Sequence, residues 1–417
     1  MLPRKLRKLH NEGFDIMTSH SEVPSKDKVT LPPSVVKPLT MTLGALGAAG
    51  LVLGGIGYAG NSSQFFHSYL VAYMFCLSLS LGAMFFTLIQ HVVGAVWSVV
   101  VRRLAELVMA NFGVLLILAI PILIGQHDLF HWMDHNAVEH DELLKIKEPY
   151  LNPTFFYIRL VIYFGIWFLI SSYFFKGSTE VDDNGSPDII RKLRRYAAPA
   201  LPVYALTQTF ASFDLLMSLD PHWFSTMYGV YFFAGCTVTS FALLTVLSLI
   251  FQSKGYLRGV VTDEHLHDLG KLMFAFTIFY AYIAFCQYFL IWYGNLPEET
   301  MYYLHRWEGG WKPVSLLIVF GRFVIPFIIL LSRHPKRMPF VLGAMAVWII
   351  FMQYVDLYWS VMPELHHEGL AIHWLDIACF LGVFGVYGAV IARRFGRYPL
   401  VPIQDPLLRR SLEFENA

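Results

Sequence analysis

In FDLLMSLDPHWF (213–224), two acids and a histidine, Asp214, Asp220 and His222, fall within nine residues at the end of an apolar run. Much of the stretch recurs 142 residues later as VDLYWSVMPELH (355–366), with Asp214/Asp356, Leu215/Leu357, Ser218/Ser360 and Pro221/Pro363 at identical spacing. A carboxylate or imidazole at a helix end in an apolar wall can take a hydroxyl proton, because burial raises the affinity of an acid for its proton. Oxidation of a lipid-soluble quinol needs such a base, an apolar slot for the ring and an exit for the protons. The expected proton-transfer or quinol-contact residues are therefore Asp214, Asp220, His222 and Asp356, with Glu298, Glu364 and His366 as further candidates at the same outer face.

Two arginines stand inside apolar segments, each in the pattern R-x-V-I-x-F-x-I: RLVIYFGI (159–166) and RFVIPFII (322–329). A lone charge in hydrocarbon costs about 2.5–3.5 kcal/mol on insertion scales, so such residues turn inward and find partners. If successive spans alternate in direction, Arg159 and Asp214 reach similar depth, as do Arg322 and Asp356, and an ion pair is expected in each set. At the opposite face, His91, Glu106, His265, His267, Asp268 and Lys271 lie near span ends. Among these, His91, Glu106, Asp268 and Lys271 are candidates for proton uptake from the cytoplasm.

The elements that must position these groups follow from composition. Of 417 residues, 56% are hydrophobic and 15% charged, and the mean hydropathy is +0.52. Soluble proteins average about 25% charged. A helix rising ~1.5 Å per residue needs ~20 apolar residues to cross ~30 Å of hydrocarbon. Ten segments qualify: 38–60, 65–91, 104–125, 153–175, 196–218, 225–252, 266–294, 313–332, 338–362 and 374–392. An all-α polytopic membrane protein with ten transmembrane helices is expected. Its basic, polar residues 1–37, lacking the apolar core of a signal peptide, would form a cytoplasmic arm.

With ten spans both tails share a side. Twenty-four of the 31 lysines and arginines fall on that side and four (Lys145, Lys147, Arg306, Lys312) on the other, so both termini are expected in the cytoplasm. The recurring stretches end spans five and nine, and the arginine patterns lie in spans four and eight. ELVMA (106–110) and KLMFA (271–275) match more weakly in spans three and seven. Spans 2–5 and 6–9 are accordingly expected to be two four-helix bundles in parallel orientation, because an even number of spans per unit preserves direction. Expected boundaries are 38–64 for a peripheral first span, 65–224 and 225–373 for the bundles, and 374–417 for a peripheral tenth span with a cytoplasmic tail.

Absences narrow the chemistry. The four cysteines lie in spans and form no C-x-x-C, so iron–sulfur and structural zinc signatures are missing. No histidine falls near mid-span, where haem b would need one, and no metal site is expected in the chain. His127, His131 and His135 are spaced i, i+4, i+8 in HDLFHWMDHNAVEH (127–140), which on one helix would present a single face for docking a partner. Electrons from a quinol would have to leave through a partner subunit.

DLLMSLDPHWFSTMYG (214–229) and YGNLPEETMYY (293–303) resemble signature stretches of the NrfD-like integral membrane subunits of bacterial alternative complex III, a quinol:cytochrome c or quinol:oxidase oxidoreductase. The resemblance covers residues 38–395, and the compact loops look like the second, ActF-type subunit. It implies menaquinol at the outer side, a proton-translocation role and a bacterial inner-membrane location. It also implies partners: an iron–sulfur subunit, multihaem and monohaem cytochrome c subunits carrying haem c, and the paralogous NrfD-like subunit. Other readings are a polysulfide-reductase-type quinone-binding anchor, a secondary transporter and a structural scaffold.

Overall fold

The computed structural model describes residues 23–416, without the side chain of His135, and residues 1–22 of the expected N-terminal arm lie outside the described residues. The described chain is helical throughout, without strands. Its long helices are α1 (Pro33–Gly60), α2 (Ser62–Val93), α3 (Val99–Ile124), α4 (Pro153–Asn184), α5 (Pro187–Leu215), α6 (Tyr228–Ser253), α7 (Asp263–Gly294), α8 (Gly309–Leu331), α9 (Pro339–Val361) and α10 (Trp374–Phe395). Among the described residues, nine of these are long and apolar enough to cross a membrane. The exception is α5. It begins with the basic run PDIIRKLRR and carries Pro199, Pro202, Thr207, Gln208 and Thr209 in its apolar half.

Local sequence explains the helix limits. Asn61 accepts from the Gln64 amide and Asn152 from the Phe155 amide, each satisfying an orphan donor of the following helix. Gly94 (φ 60°) and Gly185 (φ 59°) close α2 and α4 in the left-handed region, where a Cβ is strained.

α2 is the central element. It is buried along nearly its whole length and packs against α3, α5, α6, α9 and α10. Contact with α6 is close because Gly82 has no side chain: a Cβ there would lie 2.1 Å from the Cys236 carbonyl oxygen. α4 packs on α5 and α3, whereas α7 and α9 pack on α6 and α8 packs against α7 and α9. α1 and α10 pair through Gly47, Gly50, Gly382 and Gly385. A Cβ on Gly50 would stand 2.2 Å from the Gly382 nitrogen. Small residues let backbones approach where lipid supplies no hydrophobic drive. The outward face of α1, with Met41, Val52 and Ile56, is exposed apolar surface.

The bundle has two ends. The distal end gathers the α1–α2, α3–α4, α5–α6, α7–α8 and α9–α10 connections; contacts such as His366–Gln64 and Trp132–Ser218 tie them together. The proximal end holds the other connections and the C-terminal segment. That segment folds back onto the bundle through Leu400 to Val29, Ile403 to Asp182 and Ser411 to Trp97.

The Gly50 contact makes a direct prediction. Gly50→Ala should separate α1 from α10 and lower stability by about 1–3 kcal/mol. Gly55→Ala, where nothing lies within 4 Å, should be neutral or slightly stabilising. Thermal unfolding of the two detergent-purified variants measures the difference; identical melting would contradict the packing described.

Candidate functional site

Arg159 lies two turns into α4 and Asp214 in the last turn of α5, and the structure brings them together. Arg159 Nε and Nη2 donate to Asp214 Oδ2 and Oδ1 at 2.8 and 2.9 Å. Its Nη1 donates to the Tyr150 carbonyl at 2.8 Å, and the guanidinium lies 3.9 Å from the Tyr150 ring centroid. Tyr163, one turn beyond Arg159, donates to Asp214 Oδ2 at 2.9 Å. Both charges are buried. Two parallel N–H···O bonds are the strong form of this contact.

The second set is built differently. Arg322 sits in a π-helical stretch, Ile318–Val324, inside α8. Such a stretch inserts an extra residue per turn and is frequent at functional sites. Trp348 Nε1 donates to the Gly321 carbonyl at 2.6 Å, satisfying one acceptor there. Arg322 reaches Asp356 Oδ2 with Nη1 alone, at 3.2 Å. The same nitrogen donates to the Met352 carbonyl at 3.0 Å, and Nη2 contacts Gln353 Oε1. Nε has no partner among the described residues. Asp356 Oδ1 is met by two phenols, Tyr231 and, at 2.7 Å, Tyr280. Tyr280 also lies 2.9 Å from the Tyr231 hydroxyl. Its single proton can therefore point to the carboxylate or to Tyr231.

Tyr231 and Tyr280 also line a cavity of about 710 Å³. Its walls come from α7, α8 and the short helix Pro297–Trp307, including Phe285, Tyr288, Trp307 and Val319. Its polar groups are mostly the tips of aromatic side chains, with Gln287, Ser315 and Arg306 besides. Apolar walls with sparse, convergent polar groups are what small-molecule sites look like. The Arg159–Asp214 pair touches none of this lining.

A shared device explains the recurring Asp-x-x-x-Ser spacing. Ser218 donates to the Asp214 carbonyl at 2.7 Å and Ser360 to the Asp356 carbonyl at 2.9 Å. In both places the long helix then yields to a 3₁₀ turn, Met217–Leu219 and Met362–Glu364.

That turn separates Asp220 and His222 from Asp214. The first two lie in a partly exposed turn, where Asp220 accepts from the His222 amide at 3.1 Å and His222 Nε2 lies 2.6 Å from Asp141 Oδ2. The hydrogen bond from His222 holds the Asp141 carboxyl below the ordinary carboxylate range. Glu298 is exposed. Glu364 pairs with buried Arg306 at 3.1 Å. His366 is half-buried and contacts Gln64 Oε1 at 2.7 Å; burial pushes its imidazole below the usual value. The 127–140 stretch is not the single helix its histidine spacing suggested. Phe130 and Asp134 take extended angles, breaking it into Gln126–Leu129, His131–Met133 and His135–His140.

At the proximal end, Glu106 is wholly buried and held by Arg102 (3.1 Å), Arg103 (3.0 Å) and Ser178, with His91 Nε2 3.9 Å away. Arg102 continues to Asp405 at 2.5 Å and Arg103 to Asp182 at 2.6 Å. These arginines, which sequence placed in a cytoplasmic loop, are 3% and 0% exposed. The reason is that the start of α3 is buried on every side, its arginines being covered by α4 through Asp182 and by the C-terminal segment through Asp405. Asp268 joins Lys271 at 2.5 Å, and Lys271, half-exposed, reaches Asn416 at 2.8 Å. Buried His265 contacts the Ser411 carbonyl and His267 lies beside it in sequence, also buried. No hydrogen bond or ion pair among the described residues joins the Glu106 group to the Asp268 group; the C-terminal segment runs between them.

One buried acid went unnoticed in the sequence. Asp376 accepts from Ser68 (2.5 Å), Gln64 (3.2 Å), Tyr358 (3.3 Å) and the His373 amide (2.9 Å), fastening α10 to α2 and α9. An acid three residues into an apolar span was the available signal.

No known protein family matches the chain, and no curated protein is significantly similar to it.

Two outcomes follow from these contacts. Asp214→Leu, which strands Arg159, should cost about 3–5 kcal/mol in thermal unfolding, whereas Arg159→Met with Asp214→Leu should recover much of that loss. A double variant no better than the single would show that the pair is not the relevant unit. At the rim, Asp141 is lowered in the folded state, so its contact with His222 contributes stability that is present above about pH 4 and lost as pH falls through the folded value. The gap in melting temperature between wild type and His222→Ala should be small, given solvent exposure, and should close on acidification.

Proposed function

We propose that this chain is an NrfD-like membrane subunit of a quinol:cytochrome c or quinol:oxidase oxidoreductase, of the second, ActF-type kind in alternative complex III. In this reading α5 is a tenth span, α2–α5 and α6–α9 are two parallel four-helix bundles, and α1 and α10 flank them. The distal end faces the outside of the bacterial inner membrane and both termini are cytoplasmic. The matched Asp-x-x-x-Ser devices and the common direction of α2 and α6 support the duplication.

The observation that carries the reading is the cavity whose inner wall is the Tyr231–Tyr280 pair on Asp356. A menaquinol ring there would lie among aromatic and aliphatic side chains with a hydroxyl near Tyr280. Oxidation of the quinol releases two electrons and two protons. The electrons pass to the iron–sulfur subunit and on to the haem c subunits; this chain's part is the protons. Tyr280 can accept a hydrogen bond from the hydroxyl while donating to Asp356, so the proton taken up by one phenol oxygen is matched by another passed to the carboxylate. Arg322 contacts Oδ2 alone and leaves Oδ1 to the two phenols. On the proximal side, Glu106 with His91 and Asp268 with Lys271 are the groups through which cytoplasmic protons would enter.

The test uses the intact assembly purified through this subunit. Haem-bearing and iron–sulfur partners should copurify. Asp356→Asn should lower menaquinol oxidation and the accompanying proton release roughly a hundredfold, the order expected for loss of a general base. Tyr280→Phe should act in the same direction more weakly. Unchanged turnover in Asp356→Asn, or a photoreactive quinone that labels only residues away from Phe285, Tyr288 and Val319, would remove this site from the reaction.

A further inference from the structure

We propose that the groove between the proximal ends of α6 and α9 binds the headgroup of an anionic phospholipid. The groove has a volume of about 580 Å³ and is lined by Leu249, Ile250, Gln252, Ser253, Arg258 and Pro339. It is separate from the distal cavity and owes nothing to the quinol reading.

The cations come first. Arg258 is exposed on the connection that follows α6, and Lys254, also exposed, caps that helix. Neither side chain has an ion-pair or hydrogen-bond partner among the described residues. Their neighbours are already committed: Gln252 Nε2 donates to the Val261 carbonyl at 3.0 Å and Ser253 Oγ to the Ile250 carbonyl at 2.8 Å. On the α8–α9 connection, exposed Arg333 is likewise without a partner among the described residues, whereas the other two cations are held. Arg337 is bound by Glu264 and the Lys336 ammonium by the Leu330 and Leu331 carbonyls. Arg258 in the groove wall and Lys254 at the adjoining helix end thus have no counter-charge among the described residues, and the guanidinium fork matches phosphate oxygens.

The second observation is where the apolar surface runs. Phe340 is 86% exposed, Val347 56% and Phe351 50%, a stripe on one face of α9 leading from the groove into the apolar span. Gly343 notches that helix beside Leu249, where an added Cβ would come within 3.0 Å of Leu249 Cδ1. Ile250, 47% exposed, stands at the groove itself. An inorganic phosphate would need the cations but not the stripe. A lipid needs both, with phosphate on Arg258 and Lys254 and an acyl chain along α9. Net negative headgroups are favoured over zwitterionic ones because no carboxylate lines the groove to receive an ammonium.

The test is lipid retention by the full chain. Protein reconstituted into nanodiscs of phosphatidylcholine with a minor share of phosphatidylglycerol is released into mild detergent, and the retained lipids are identified by native mass spectrometry. Each membrane-surface cation contributes about fivefold in affinity. Wild type should thus retain phosphatidylglycerol over phosphatidylcholine at least tenfold beyond their input ratio. The Lys254→Gln, Arg258→Gln double variant should lose that preference, whereas Lys192→Gln, an exposed cation on α5, should keep it. All three carry surface changes, so unchanged melting temperatures verify folding. Equal retention of both lipids by wild type, full preference in the double variant, or displacement of the lipid by millimolar inorganic phosphate would each overturn the assignment.

Discussion

A carboxylate survives inside a lipid-embedded bundle only if its charge is answered locally, and in this chain a guanidinium on the neighbouring helix does so twice. Arg159 on α4 meets Asp214 on α5, and Arg322 on α8 meets Asp356 on α9. Slipping either helix of a pair by one turn would move the partners about 5 Å apart and leave two desolvated charges. The pairs thus set the relative depth of the helices that carry them, whatever else they do. The proximal end obeys the same constraint with more members, where two arginines are shared among Glu106, Asp182 and Asp405. Because Asp405 belongs to the folded-back C-terminal segment, charge neutrality there also pins that segment to the bundle.

The parts of this arrangement that were legible in the sequence are those governed by rarity and depth. Charged residues in apolar segments are few, and counting residues along helices of alternating direction places Arg159 beside Asp214 and Arg322 beside Asp356. What stayed hidden depends on rotation about a helix axis, on cover from remote segments or on a change of backbone type. Arg102 and Arg103 look like loop residues by composition, yet α4 and the folded-back C-terminal segment, remote in sequence, cover them with Asp182 and Asp405. Asp220 and His222 are neighbours of Asp214 in sequence, but α5 stops at Leu215 and the 3₁₀ turn leads them out to the rim. Tyr231 and Tyr280 were invisible among 22 tyrosines, because an interfacial belt and a phenol aimed at a buried acid have the same composition. The broken histidine stretch illustrates the converse: spacing proposes a face, and two extended residues cancel it.

The two pairs differ in a way that bears on what each can do. In the first, all three guanidinium positions that face the protein are used, and the carboxylate receives two N–H groups and one phenol on fixed partners. In the second, the carboxylate is shared between one guanidinium nitrogen and two phenols that also bond to each other. A pair whose donors are committed to the carboxylate alone is a good staple and a poor proton carrier. A group whose donors have other acceptors within reach can exchange.

The cause of that difference can be traced to one glycine and one amide. At Gly235 on α6, a Cβ would stand 2.8 Å from Arg322 Nη2 and 3.0 Å from Gln353 Oε1. The missing side chain is what admits the guanidinium toward α6. Gln353, one turn before Asp356, then holds Nη2 there, so the fork cannot swing round to grip both carboxylate oxygens. Oδ1 is left to Tyr231 and Tyr280, which are also the inner wall of the cavity. Arg159 has no such diversion, because its third nitrogen is taken by a backbone carbonyl that leaves the fork aligned with Asp214. The recurring motif therefore supports two outcomes: a side-chain amide acceptor beside the aspartate turns a two-toothed ion pair into a carboxylate that faces the cavity through two hydroxyls.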